Sequence, residues 1–147
     1  MEQIYPYVQI VHLICAIIFL GYIFFDIVIF SRLKGVLGAD FERVKKAIGS
    51  RAIKIMPVCL FTLIITGGMM MSRWVGSANG GYFGTPLQKI FMLKVALALI
   101  IAVCVAINLS CRAMGRPAPE FLRANIHKIA FVFGFIIVLC AKLMFII

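Results

Sequence analysis

Apolar residues in this chain do not alternate with polar ones; they run together in four long blocks. The blocks extend roughly over Tyr5–Phe30, Ile55–Met71, Leu87–Ser110 and Ala124–Ile147. A helix rises about 1.5 Å per residue, so ~20 apolar residues cross the ~30 Å of hydrocarbon in a bilayer. Runs such as Val95–Leu109 lack the two-residue alternation of barrel strands. Only helices and closed barrels can satisfy their backbone groups in lipid. The pattern therefore predicts an all-α integral membrane protein. It would be a four-transmembrane-helix bundle, forming one domain over residues 1–147.

Composition agrees. The chain is 64% hydrophobic and 14% charged, with a mean hydropathy of +1.11. Soluble domains are closer to half apolar and a quarter charged. A water-soluble globule, a disordered chain and a disulfide-stapled scaffold are excluded. The first block has no Lys or Arg before it and is too long for a signal-peptide core, so it is expected to stay in the mature protein.

The net charge of +10 changes the picture through its placement. Arg32, Lys34, Arg43, Lys45, Lys46, Arg51 and Lys54 lie around the first connection, and Arg112, Arg116, Arg123 and Lys128 around the third. The second connection has only Arg73 and Lys89. The positive-inside rule puts the first and third connections in the cytoplasm. Both termini would then be outside, which in a bacterial inner membrane means periplasmic. The basic excess reads as a topology signal with contact to anionic membrane lipid. No nucleic-acid-binding module accompanies it.

The connections carry local signals. Asp40 is placed to cap a short helix, Phe41–Lys46, leading into the second span. Pro57 is expected to kink that span. Residues Ser77–Gly81 read as a breaker, flanked by Trp74, Tyr82 and Phe83 at the membrane interface.

A polar side chain within a span is costly unless it faces protein or water. In the first span Tyr5, His12, Cys15, Phe19, Tyr22 and Asp26 recur at helical spacing and define an inward stripe, with Gln9 at its border. Comparable stripes run through Cys59, Thr62, Thr66, Met69 or Met70 and Arg73; through Lys94, Leu97, Ile101, Cys104, Asn108 and Cys111; and through His127, Ala130, Gly134, Ala141 and Phe145. By depth, His12, Lys94, Lys142, Gln9, Gln88 and Met69–Met71 fall in the outer half, with His12 about 9 Å below the outer boundary. Asp26, Asn108 and His127, with Arg123 in reach, form an inner polar cluster. The two histidines are at opposite ends, so a bis-histidine haem within one subunit is not expected.

These residues bring a resemblance into view. Val11-His12-Leu13-Ile14-Cys15-Ala16, followed by Gly21 and Arg32, resembles the first span of CopD-type copper-resistance membrane domains. Leu93–Leu97 followed by Asn108 is similar to the third span of that group. The plan is also similar to HemJ-type protoporphyrinogen oxidases, four-span proteins with a histidine in span one and a lysine in span three. Arg123–Asn125 adds to that side.

Three readings follow. In the first, the protein binds b-type haem or porphyrin in the outer half and performs redox or electron transfer, as a haem-dependent oxidoreductase would. His12 is the iron ligand, Lys94 holds an acidic group of the ligand, and Cys15 and Tyr22 line the site. A quinone or another haem protein exchanges electrons with it. Neutral imidazole suits iron or copper. In the second, it handles copper as Cu(I), with His12, Met69 and Met70 as ligands. In the third, it is a non-catalytic membrane assembly subunit whose buried polar groups set helix register. Self-association into a homo-oligomer is compatible with all three. The five cysteines show no CxxC spacing and read as small buried apolar groups.

Overall fold

The computed structural model describes residues 2–147, and all the regular structure among them is helical. Helix α1 spans Tyr5–Phe24, α2 Lys34–Leu37, α3 Phe41–Trp74, α4 Pro86–Ala113 and α5 Glu120–Leu143. Three helical stretches are long and apolar enough to cross a membrane: Tyr5–Trp74, Pro86–Ala113 and Glu120–Leu143. Their outward surfaces are apolar, with Ile10, Leu13, Ile14 and Ile17 exposed on α1 and Leu99, Ile100 and Val103 on α4. Apolar surface on this scale suits lipid rather than water. This is the construction of a helical membrane protein.

The first connection differs from the expected loop. Between α1 and α3 the chain stays helical throughout, passing through a π turn at Phe25–Ile29, a 3-10 turn at Phe30–Leu33, α2, and another 3-10 turn at Gly38–Asp40. Ser31 donates its hydroxyl to the Ile27 carbonyl within this stretch. The short helix expected at Phe41–Lys46 is not separate; it is the first turn and a half of the 34-residue α3. Asp40 serves there as the partner of Arg43, at 3.2 Å, on an exposed surface. Pro57 lies inside α3 without ending it. A proline withholds one backbone donor, and the rest of the helix hydrogen bonding carries the segment past it.

The chain divides into two compact units, residues 1–66 and 67–147. In the first, a hydrogen bond joins residues 54 positions apart, His12 and Thr66. Along a straight helix those positions would be separated by roughly 80 Å, so the run from α1 into α3 folds back on itself. Gly38 supplies the break, with φ 54° and ψ −120°, a conformation in which a Cβ is strained. An aromatic stack braces it. Phe30 lies 4.9 Å from Phe41 and 6.2 Å from Phe25, ring centre to ring centre, and is 3% exposed.

The second unit is an antiparallel hairpin of α4 and α5 preceded by the end of α3. Residues 114–119 make the turn, where Gly115 has φ 68° and the Arg116 amide donates to the Cys111 carbonyl. Pro119 then precedes the first residue of α5. Ala130 and Gly134 are buried on α5, as expected for small residues that let helices approach. A cluster of Val75, Phe91 and Met144, covered by Met71, Trp74, Leu87, Ile90, Met92 and Val95, packs the other end. Trp74 meets Phe145 edge to face at 5.5 Å.

Candidate functional site

On α1 the polar stripe falls on the covered face. Tyr5, His12, Cys15, Tyr22 and Asp26 are half-buried and Phe19 is buried, whereas Gln9, Ile10, Leu13, Ile14 and Ile17 are exposed. Helical spacing explains this. Steps of three and four residues return to one side, and burying that side against α3 leaves the aliphatic side outward.

The best-defined polar contact in the first unit is between His12 Nδ1 and Thr66 Oγ1, at 2.7 Å. Thr66 is buried, and its hydroxyl also lies 2.7 Å from the Thr62 carbonyl and 3.3 Å from that of Leu63. One turn from His12, Cys15 has Cys59 of α3 as a side-chain neighbour. Both cysteines carry free thiols, as do Cys104, Cys111 and Cys140. Tyr22 and Asp26 lie further along the same face, Asp26 within the π turn. A π turn rotates the residues beyond it relative to an unbroken α-helix, which the α-helical spacing of the stripe does not take into account.

Lys94 belongs to the second unit. Its Nζ lies 5.1 Å from the centre of the Phe91 ring, and it has Cys140 of α5 as an electrostatic neighbour. The contact to Phe91 is a cation–π interaction one turn back on the same helix. Among the described residues no carboxylate lies within ion-pair distance of it. Asn108, Arg123 and His127 of the expected inner cluster are also in this unit, while Asp26 is in the first.

Gln88 has a different part from the one expected. Expected at the depth of His12 and Lys94, its side chain is occupied in the connection before α4. Gln88 Oε1 accepts from the amides of Gly84, at 2.9 Å, and Thr85, at 3.2 Å. Its Nε2 donates to the carbonyls of Asn79, at 2.8 Å, and Trp74, at 3.5 Å. The Gln88 amide donates to Thr85 Oγ1, completing a capping box. The signal was present as Thr85-Pro86-Leu87-Gln88, a capping residue, a first-turn proline and a glutamine three positions on.

The methionines are divided. Met69 is 40% exposed and Met71 packs against the cluster of Val75, Phe91 and Met144. Consecutive helical residues point about 100° apart, so Met69 and Met70 do not present their sulfurs in the same direction. Among the described residues no three His, Cys, Asp or Glu side chains gather as a metal cage.

Comparison with family models, with curated proteins and with solved structures finds no match to this chain.

Proposed function

We propose that the protein is a haem- or porphyrin-binding membrane protein of the redox class, with His12 as the iron ligand. The observation that carries the reading is the held imidazole: a half-buried histidine in an apolar helix, fixed through Nδ1 by a buried threonine. An imidazole at such depth is costly unless it has a task or a partner, and anchoring of one ring nitrogen is the usual support of a ligating histidine. A haem suits the donor set because the macrocycle provides four nitrogens and the chain needs to supply only an axial side chain. Bound there, the haem would provide reversible one-electron chemistry. The chain would hold the imidazole, exclude water and set the polarity around it. In the second unit, Lys94 is a half-buried ammonium whose described partner is a ring face, a setting that favours an acidic ligand group.

The same proposal takes the membrane arrangement further. In this reading the first helical stretch is two crossings, which the fold-back between α1 and α3 supports, and α4 and α5 are two more. Clustering of basic residues around the first and third connections supports termini on the outer, periplasmic side of a bacterial inner membrane. A quinone or another haem protein is the fitting electron partner.

The test is a visible spectrum of the gently solubilised full chain, oxidised and reduced, with haem supplied during expression. A Soret band that is lost in His12→Ala but kept in His127→Ala is expected. Absence of the band in the unaltered protein refutes the haem reading.

A copper reading is favoured by one observation, the neighbouring thiols of Cys15 and Cys59, since soft sulfur ligands select Cu(I). Metal analysis of the same sample separates the two: copper bound without a Soret band supports this second reading.

A further inference from the structure

The contacts around Thr66 determine which nitrogen of His12 carries its proton. The Thr66 hydroxyl has one hydrogen and two short contacts. A carbonyl oxygen can only accept, so the 2.7 Å approach of Thr66 Oγ1 to the Thr62 carbonyl requires the hydroxyl hydrogen to lie between them. The more distant Leu63 carbonyl, at 3.3 Å, shares that hydrogen at most as a second acceptor. The equally short contact between Thr66 Oγ1 and His12 Nδ1 must then be filled by a hydrogen from the ring. Nδ1 is the donor, and in a neutral imidazole the lone pair is on Nε2.

We propose that Thr66 is a positioning residue that locks His12 in the Nδ1–H tautomer, so that Nε2 presents its lone pair to an electron-pair acceptor. The proposal rests on the haem reading only for the identity of that acceptor, the iron; the tautomer stands on the hydrogen-bond geometry alone. It also restricts the chemistry of the site. A group meeting Nε2 must accept an electron pair, as a metal ion does, or donate a hydrogen, as an O–H or pyrrole N–H does. Thr66 receives the ring hydrogen because its own hydrogen is committed to the helix backbone, a bond that a threonine in mid-helix makes to the carbonyl four residues before it.

The experiment uses the full chain in lipid nanodiscs without added haem, with 15N-labelled histidine and with His127→Gln, so that His12 alone reports. Nδ1 is expected in the protonated, pyrrole-like range and Nε2 in the unprotonated, pyridine-like range. Thr66→Ser should keep this pattern, and Thr66→Val, nearly the same shape without the hydroxyl, should lose it. A spectrum of the Thr66-containing protein with hydrogen on Nε2 overturns the proposal without any substitution at Thr66. An unchanged pattern in Thr66→Val overturns the role of Thr66.

Haem titration is the second arm. Loss of a partner behind a metal ligand lowers affinity by about 10- to 100-fold, and that weakening is expected for Thr66→Val with recovery in Thr66→Ser. Equal affinity in all three proteins overturns the positioning role. A protein with the expected tautomer that takes up no haem refutes the haem reading and leaves the tautomer assignment standing.

Discussion

Replacing Lys94 by methionine is expected to stabilise the ligand-free protein, although it removes a contact. Lys94 lies eight residues into α4, which begins at Pro86, or roughly 12 Å along the helix axis. A lysine at the centre of a membrane helix costs on the order of 2.5–3.5 kcal/mol. Off centre and half-buried, Lys94 retains only part of this, about 2 kcal/mol, because the long stem brings the ammonium toward the interface. The ring of Phe91, 5.1 Å from the Nζ, returns about 0.5–1 kcal/mol. No carboxylate among the described residues adds to that return. The balance favours methionine, similar in length and apolar, by about 1 kcal/mol. Reversible unfolding of the full chain in mixed micelles, followed by tryptophan fluorescence from Trp74, would measure it. A lysine kept at a cost to stability is the mark of a functional position, so the same variant should bind a carboxylate-bearing porphyrin more weakly. If Lys94→Met destabilises the ligand-free protein by 1 kcal/mol or more, the ammonium has a structural role and the reasoning fails.

Two further outcomes test the geometry. Gln88→Leu should loosen the connection before α4: it leaves the Gly84 and Thr85 amides, on exposed residues, without their acceptor, at about 0.5–1.5 kcal/mol for each hydrogen bond lost. Hydrogen exchange at those two amides should accelerate while exchange in mid-α5 stays unchanged; equal acceleration at both places would count against a local lock. In a variant retaining only Cys15 and Cys59, oxidation by copper phenanthroline should join the two thiols within one molecule, because they are side-chain neighbours. Full alkylation of both after that treatment would show that α1 and α3 do not meet there.

Periodicity made much of this molecule legible. The covered face of α1 is the stripe expected from spacing, because a polar group in an apolar helix has to turn inward and a helix returns to one side every three or four residues. His12 and Lys94 stood out for the same reason. Of the small residues Ala130, Gly134 and Ala141, whose size permits close helix approach, the first two are buried and the third is half-buried. The cap at Thr85 and Gln88 was also written in the chain, but depth alone did not give the partners of Gln88. Depth along a helix says how far a side chain is from the boundary and nothing about which backbone groups it can reach.

The sequence by itself determined the helical, apolar character of the protein, because hydrocarbon leaves the backbone so few alternatives. It also determined which face of α1 is covered. Tertiary structure alone decided the partners. The imidazole of His12 meets Thr66 and the thiol of Cys15 neighbours that of Cys59, pairings that depend on how the chain reverses at Gly38 and on the register in which α1 lies along α3. Register between two helices is a sum of many small packing contacts. No local pattern in either helix encodes it, and it was therefore out of reach until the two were seen side by side.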